Sequence, residues 1–368
     1  MSDAPSGAAP LAGVRVLHLG HFDPQYSRNR IVAKALRRAG AEVRTVTDPR
    51  RFVFRAPLLV RETRRRRSRP DVVLVGFPGH ADVPVARAAA RRGIPVVFDA
   101  FLSLYEMSVE DRALVPANSW RARALATEDR LACTSATQVL LDTNAHIDYF
   151  VERFRVPHDR FRRVWVGADD ELVRPQPAAT TNGRLRVFLY ASFIPLHGVE
   201  HVVQAAALLE AADADVEFDI VGDGLTHRAV RDLAERLGVR TVRFHPPRPY
   251  AALVEAVAAS DVCLGIFGTS PKAARVIPNK VFDALAAARP VITADTSAAR
   301  EALVHRDTAW LCPPGDPAAL AEAIVELQQD PVLRFDLARR GNVLFRADFS
   351  LDAIARQLAT NVTEVLAR

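Results

Sequence analysis

The sequence of 368 residues has few cysteines and no long apolar run, and each of these two shortages excludes a class of protein. Lysines are also few. The three cysteines lie far apart without a Cys-x-x-Cys pair, which argues against a disulfide framework and against a cysteine zinc site. No apolar stretch is long enough to span a bilayer, and residues 1–10 lack the basic and apolar segments of a secretory signal. We therefore expect a disordered start at residues 1–10 and a cytoplasmic protein.

Motifs of several enzyme classes are also missing. The sequence contains no Gly-x-Ser-x-Gly, no Walker loop and no His-Glu-x-x-His, so we predict neither a metal nor a cofactor. Gly222 and Gly224 follow an apolar strand as in a dinucleotide fingerprint, but His227 takes the position of the third glycine. A tight strand-to-helix turn, which can also line a nucleotide pocket, fits these residues better than NAD binding.

Length and charge set broad limits on the function. A chain of this length favours two domains, and 49% hydrophobic with 25% charged residues is typical of globular proteins. The formal net charge of +6 suits an anionic ligand, an anionic membrane or nucleic acid without choosing among them. A basic run from Arg61 to Arg69 could dock on lipid head groups. It lacks the interleaved aromatics of a single-strand binder, and a solvated helix end is the alternative.

Short apolar strands alternate with helices along the chain, which is typical of parallel sheets covered by helices on both faces. A linker rich in Pro, Ala and Thr is predicted at residues 169–182, and the pattern restarts after it. The predicted domains are residues 11–175 and 184–350, with a last helix at 351–368 that returns to the first domain. In the first half we expect strands at residues 14–20, 71–77, 94–99 and 131–134.

Residues 275–301 are the centre of the predicted site, because they read as a loop, a helix, a strand and a loop. Asn279 and Lys280 open the helix, where free backbone N–H groups suit a phosphate and where a lysine is unfavourable unless an anion is nearby. Asp283 could accept two hydroxyl hydrogen bonds. A phosphate binder beside a diol binder is what a nucleoside diphosphate needs. A capped surface helix with an extended lysine is the alternative.

In each half, one further loop follows the first strand. The ligands of parallel sheets bind at the carboxyl ends of the strands, where these two loops lie. In the second half, Ser192, His197 and Gly198 precede a helix at a position that suits an anion, although His197 could merely cap the turn. In the first half, Arg28 and Arg30 lie in a helix's first turn and oppose its dipole, which points to an anionic ligand. A solvated basic face is the alternative there.

Taken together, these residues resemble glycosyltransferase family 4. The resemblance covers nearly the whole chain and is strongest from about residue 184 onward. It implies a GT-B fold, in which two Rossmann-like α/β domains face each other across a cleft, and a mostly retaining reaction. The motifs that carry it are Val-Gly-Asp-Gly ending at 224, Ile-Pro-Asn-Lys-Val-Phe-Asp-Ala-Leu-Ala ending at 286, Arg-Pro-Val-Ile ending at 292 and Pro-Gly-Asp-Pro ending at 317.

The resemblance assigns the sugar donor to the second domain. The family's Glu-x7-Glu falls on Arg275 and Asp283, so Asp283 is expected on the donor ribose, while Arg275 departs from the pattern and is expected at a phosphate or an acidic sugar. The family's usual diphosphate-binding residues are replaced, which leaves that role to His197, Lys280 and backbone amides. The expected donor-binding residues are Ser192, His197, Gly198, Gly222, Asp223, Arg275, Asn279, Lys280 and Asp283.

The acceptor is expected in the first domain, at the loops of residues 21–30 and 99–106. Asp99 lies where the family often has a histidine near the reacting sugar, and Asp23 lies where it has Gly-Gly; both are catalytic candidates that could orient the acceptor or act as a base. In a retaining enzyme an oxygen of the diphosphate could take the base's role. The expected acceptor-binding residues are His21, Tyr26, Arg28 and Glu106.

The resemblance therefore implies a hexosyltransferase-like enzyme that moves a sugar from a nucleotide diphosphate donor to an acceptor hydroxyl without a metal. One alternative is a nucleotide-sugar epimerase of the same fold, and another is a non-catalytic sugar-nucleotide-binding scaffold docked on lipid. We expect no nucleic-acid partner. The run from Arg61 to Arg69 is the candidate contact with the inner membrane face, and the oligomeric state stays open.

Overall fold

The computed structural model describes residues 9–65, 69–91, 93–176 and 183–368. Parts of the predicted disordered start, basic run and linker therefore lie outside the described residues, namely 1–8, 66–68 and 177–182. Contacts divide the chain into two units. The first comprises Met1–Tyr105, Val115–Trp165 and Leu351–Arg368, and the second comprises Glu106–Leu114 and Val166–Ser350.

The first unit contains a six-stranded parallel sheet in the order β2-β1-β3-β4-β5-β6. Its central strands β3, β4 and β5 are buried along their whole length, as strands covered on both faces should be. The strand order reverses between β1 and β3, so their carboxyl ends mark the ligand-binding edge. The strands are β1 Arg15–Gly20, β2 Glu42–Thr47, β3 Val72–Val75, β4 Val96–Asp99, β5 Gln138–Leu141 and β6 Phe161–Arg163.

Six helices accompany this sheet among the residues with assigned structure. The last of them, α13, packs on α1, where the Arg38 guanidinium lies 2.6 Å from the Asp352 carboxylate. The end of the chain thus belongs to the first unit. The helices are α1 Ser27–Arg38, α2 Phe52–Thr63, α3 Asp82–Ala89, α4 Trp120–Ser135, α5 Asn144–Phe154 and α13 Leu351–Ala367.

The predicted strand at residues 131–134 is wrong, because these residues form the end of α4 and the strand β5 follows it. Ala132 and Cys133 bury one side of this helix, and a four-residue apolar run does not distinguish a buried helix end from a strand. The three cysteines of the chain are buried free thiols.

The second unit repeats the architecture with the parallel order β12-β11-β10-β7-β8-β9. Here the order reverses between β7 and β10. The strands are β7 Leu185–Ala191, β8 Val216–Gly222, β9 Val242–His245, β10 Val262–Leu264, β11 Val291–Ala294 and β12 Trp310–Cys312. The helices are α6 Val199–Ala211, α7 His227–Leu237, α8 Tyr250–Ala259, α9 Asn279–Ala286, α10 Ser297–Arg300, α11 Pro317–Gln329 and α12 Pro331–Leu344.

The core of this unit includes Val202 of α6, Phe218 of β8 and Ile324 of α11, so these two helices cover one side of the sheet. The helix α9 packs against α8 and against the inner strands β10 and β11. The two parallel α/β units confirm the predicted fold class. Within the ranges that the structure describes, no helix is long and apolar enough to cross a membrane.

Candidate functional site

The strongest candidate site lies in the second unit, at the carboxyl ends of β7 and β10. These strands are neighbours, but the chain leaves them in opposite directions along the sheet, which opens a crevice at this edge. Two glycines let backbone segments approach closely here. Gly198 has a φ of +60° and Gly222 a φ of +139°, and a Cβ would lie 2.4 Å from the Gly268 nitrogen and 1.9 Å from the Ala191 oxygen, respectively. No other residue type fits either position.

Lys280 stands in the first turn of α9, buried at 5% exposure. The N-cap residue Pro278 offers no side-chain hydrogen bond to the free N–H groups of this turn. Burial lowers the pKa of Lys280 to about 7, and the Asp283 carboxylate opposes that shift. The ammonium lies 5.5 Å from the centre of the Tyr190 ring. A lysine held in this way is ready to gain charge when an anion approaches the helix.

Asp283, one turn further along α9, accepts two hydroxyl hydrogen bonds. The Tyr190 hydroxyl donates to Oδ2 at 2.5 Å and the Tyr250 hydroxyl donates to Oδ1 at 2.8 Å. Burial and the nearby Asp283 raise the pKa of Tyr190 well above its usual value, so this hydroxyl keeps its proton. We call Lys280, Asp283, Tyr190 and Tyr250 the α9 cluster. Asp283 was predicted to accept hydrogen bonds from two ribose hydroxyls. In this structure its two oxygens accept hydrogen bonds from two tyrosine hydroxyls.

The tyrosines of the α9 cluster were missed by sequence reasoning. Tyr190 is the second-to-last residue of β7, near the strand's carboxyl end, and Tyr250 begins α8 directly after Pro249. A tyrosine at the carboxyl end of a strand next to the switch point is a usable signal. Tyr250 gives no such signal, because only the packing of α8 on α9 brings it to Asp283.

His197 is buried beside this site and is neutral. Burial lowers its pKa well below the usual range, and the positive charges of Lys280, Arg112 and Lys272 lower it further. Its Nδ1 is buried and has no hydrogen-bond partner in the described part of the chain. His197 can therefore offer one hydrogen bond to a ligand, but no positive charge at neutral pH.

Arg275 is the residue that departs from the family pattern, and the structure pairs it with carboxylates. The Arg275 Nη1 atom lies 2.7 Å from Glu106 Oε1 and 3.1 Å from Glu110 Oε2. Glu106 is fully buried, with the Lys272 ammonium 3.9 Å away. Glu106 was predicted to bind the acceptor, but it belongs to the second unit with Arg275. This network favours a structural role for both residues.

Three other predicted donor residues lie around the same edge. Ser192 is exposed directly after β7, and Asn279 is the half-buried first residue of α9. Asp223 is exposed after β8, where its Oδ1 accepts from the Gly224 backbone N–H at 2.7 Å. The structure therefore gathers the predicted donor residues of the second unit at one sheet edge, with Lys280 and Asp283 buried at the start of α9.

In the first unit, Arg28 and Asp99 form a buried ion pair. Arg28 Nε lies 2.9 Å from Asp99 Oδ2, and both side chains are almost inaccessible to solvent. The Arg28 guanidinium also donates to the backbone oxygens of Val164 and Trp165 at 2.9 Å. Both Asp99 oxygens accept from Arg28. This geometry favours a structural role over the predicted catalytic role of Asp99 and acceptor-binding role of Arg28.

The loop after β1 presents the remaining predicted residues to solvent. His21 is exposed and donates its backbone N–H to Asp82 Oδ2 at 2.8 Å. The exposed Asp23 accepts from the Gln25 backbone N–H at 2.8 Å. The Tyr26 ring lies 5.8 Å from the ring of Phe77. Of the two predicted catalytic carboxylates, Asp23 is the one whose side chain is accessible.

Comparison with known proteins identifies the second unit. Residues 184–330 match the model of the family described as glycosyl transferases group 1. The chain carries a group 1 glycosyltransferase domain. The predicted resemblance is therefore confirmed, and the protein is an enzyme of the glycosyltransferase class.

Curated relatives of this glycosyltransferase extend the match beyond that domain. An alpha-D-kanosaminyltransferase of Streptomyces kanamyceticus is 25% identical over 287 residues, covering 74% of this chain and 71% of the relative. A D-inositol 3-phosphate glycosyltransferase 1 of Catenulispora acidiphila is 27% identical over 293 residues, covering 74% of this chain and 68% of the relative.

Solved structures show that the glycosyltransferase has the GT-B fold. Anabaena Alr3699/HepE, crystallised with UDP and glucose, superposes with a TM-score of 0.73 at 18% identity, covering 96% of this chain and all of that one. Sucrose-phosphate synthase of Thermosynechococcus elongatus gives a TM-score of 0.73 at 17% identity, covering 96% of this chain and 99% of that one. At such identities the likeness shows the fold alone.

Proposed function

We propose that this glycosyltransferase moves a sugar from a nucleoside diphosphate donor to an acceptor hydroxyl, and that the α9 cluster holds the donor nucleotide. The observation that carries the proposal is the pairing of Lys280 and Asp283, buried one turn apart at the start of α9. Their spacing suits a diphosphate next to a ribose. The UDP in the related Anabaena structure supports the same donor class.

Lys280 and the first turn of α9 would bind the diphosphate. The free N–H groups of a helix N-terminus favour an anion, and the amine with a pKa of about 7 would take up a proton as the phosphates approach. During transfer the bond from the anomeric carbon to the phosphate oxygen breaks, and negative charge grows on the departing diphosphate. A positive charge fixed at that position stabilises the transition state more than the bound donor.

Asp283 would bind the donor ribose by exchanging hydrogen-bond donors. The hydroxyls of Tyr190 and Tyr250 occupy its oxygens in the structure. A ribose diol also offers two hydroxyls, so it could replace one or both without leaving the buried carboxylate unpaired. Tyr190 and Tyr250 thereby keep Asp283 oriented for the nucleotide.

The acceptor hydroxyl forms the new bond to the anomeric carbon and loses its proton. We infer that configuration is retained and that a diphosphate oxygen receives the proton, in which case no protein base is needed. If configuration is inverted, the accessible Asp23 is the favoured base. The anomeric configuration of the product, read by NMR, separates these two routes.

Donor binding tests the site directly. A thermal-shift screen across nucleoside diphosphates identifies the preferred base, because a ligand of the native state raises apparent stability. Calorimetry with that nucleotide then compares wild type with Lys280→Ala and Asp283→Ala, and we expect at least a tenfold loss of affinity in each. Lys34→Ala, a lysine of α1 in the first unit, is the matched control. Unchanged affinity in both site variants would exclude the α9 cluster.

A further inference from the structure

The helix α2 in the first unit exposes apolar residues in its first turn and buries Arg55 and Glu62 on the same inner face as Leu59. Val53 is 69% exposed and Phe54 is 62% exposed, whereas Arg55 and Glu62 are only 6% and 5% exposed. A surface helix usually buries its apolar stripe against the core and leaves charges in water. The first turn of α2 reverses this arrangement and leaves the apolar side chains of Val53 and Phe54 exposed in the described structure.

Ion pairs hold the inner face of α2 in place. Arg55 Nε donates to Asp82 Oδ1 at 2.9 Å, and Arg44 Nη1 donates to Glu62 Oε2 at 2.5 Å. Because these partners are themselves buried or half-buried, turning α2 over would leave buried charges unpaired. The outward direction of Val53 and Phe54 is therefore fixed by the fold.

Arginines continue the same outer face toward the end of α2. Positions 53, 54, 57 and 61 fall on one side of a helix with 3.6 residues per turn, and Arg64 and Arg65 follow directly after the helix ends at Thr63. The Arg61 and Arg65 side chains are 73% and 57% exposed, and both share the single carboxylate Glu62 with Arg44. Residues 50–65 hold six arginines and one acidic residue. Arg50 and Arg55 pair with Asp48 and Asp82, which leaves four exposed arginines against Glu62, namely Arg51, Arg61, Arg64 and Arg65. The arginine run continues into residues 66–67 outside the described structure. We call this face, Val53 to Arg65, the α2 face.

We propose that the α2 face docks on an anionic membrane surface, with Val53 and Phe54 entering the head-group region and the arginines contacting lipid phosphates. Exposed apolar residues beside a cationic segment are the combination that peripheral membrane helices use. Stable attachment needs two such signals together, since either alone is weak. The excess of positive charge selects an anionic bilayer over a neutral protein partner.

A second exposed apolar face lacks this charge pattern and serves as a control. Phe335 in α12 of the second unit is 67% exposed, close to the value for Phe54. The nearby Arg339 and Arg340 are paired with acidic residues, Asp336 and Asp307. This face offers apolar surface without a cationic excess, so we expect it to contribute nothing to lipid binding.

Vesicle flotation of the full chain tests the proposal. We expect binding to vesicles of 70% phosphatidylcholine and 30% phosphatidylglycerol, weakening as NaCl rises from 50 to 500 mM, because salt screens the arginines. Phe54→Ser and the double variant Arg61→Gln/Arg65→Gln should each reduce partitioning roughly fivefold or more, while Phe335→Ser leaves it unchanged. Equal binding to pure phosphatidylcholine, or an equal loss in Phe335→Ser, would overturn the proposal.

Two further measurements distinguish membrane docking of the α2 face from a dimer contact or RNA binding at the same face. Phe54→Trp should show a blue-shifted emission that brominated lipids quench, which places residue 54 within the bilayer. Sedimentation in the absence of lipid should give the same mass for wild type and Phe54→Ser. A dimer that dissociates in Phe54→Ser, or tighter binding to RNA than to anionic vesicles, would refute membrane docking. Nucleotide binding should be unchanged in every α2 variant, so this test is independent of the proposed function.

Discussion

Replacing Lys280 with methionine should make the glycosyltransferase more stable while weakening its binding of the donor. Methionine matches the length and the apolar stem of lysine, but it carries no amine to desolvate. The pKa of Lys280 falls from 10.5 to about 7 in the folded protein because of burial. The folded state therefore binds this proton less tightly than the unfolded chain does, and that difference opposes folding.

The size of the effect depends on pH. One pKa unit corresponds to about 1.4 kcal/mol, so the penalty is about 4 kcal/mol at pH 7 and about 1 kcal/mol at pH 9.5. The lost contact between the ammonium and the Tyr190 ring offsets about 1 kcal/mol of the gain at pH 7. Lys280→Met should thus raise the free energy of unfolding by about 3 kcal/mol at pH 7 and by about 1 kcal/mol at pH 9.5. Between these pH values the stability of wild type rises, because the unfolded state binds more protons.

Urea unfolding followed by tryptophan fluorescence measures this difference. Trp310 lies in the second unit, and replacing Trp120 and Trp165 with phenylalanine in both proteins isolates its signal. Lys34→Met is the control for losing a lysine as such. A stability difference that stays constant from pH 7 to 9.5, or a loss of stability at pH 7, would refute the reasoning that burial suppresses the charge of Lys280.

Three other outcomes follow from the same geometry. Nucleoside diphosphate affinity, measured by calorimetry, should be highest below pH 7 and fall by up to tenfold per pH unit above it as Lys280 loses its proton, and this slope should vanish in Lys280→Met. Tyr250→Phe should tighten nucleotide binding a few-fold if the ribose displaces the Tyr250 hydroxyl from Asp283, and a 2′,3′-dideoxy nucleotide should not show the gain. Asp99→Ala should cost about 3–5 kcal/mol in thermal or urea unfolding because it leaves the buried Arg28 unpaired, whereas a marginal loss would show that the ion pair adds little.

The fold could be predicted from the sequence because its strands are short, apolar and regularly spaced. Runs such as Val72–Val75 are buried on both faces, and only a parallel sheet with helices on each side buries a strand in that way. The same reasoning failed at residues 131–134, where a short apolar run belongs to the inner side of α4. Length and period alone could not separate the two structures at that position.

The candidate site was only partly predictable, since its decisive contacts join distant residues. The positions of Lys280 and Asp283 on α9 follow from local spacing. The hydroxyls that occupy Asp283 come from residues 93 and 33 positions earlier. The partner of Arg275 is Glu106, 169 residues away, and a pattern read along the chain contains no information on such a pair. The ion pair of Asp99 could not be predicted for the same reason, because its partner Arg28 lies 71 residues before it.

The scarcity of lysine carries information about the site. The chain has 49 lysines and arginines, and three of them are lysines. Two of the three, Lys272 and Lys280, lie within nine residues and are buried at 2% and 5% exposure. An arginine keeps its charge at any physiological pH, so burying one beside an empty anion site would leave an unpaired cation. A lysine can release its proton while the site is empty and regain it when a diphosphate arrives. In a chain that otherwise uses arginine, we therefore propose that the buried Lys280 at the N-terminus of α9 is a position where the charge follows the ligand.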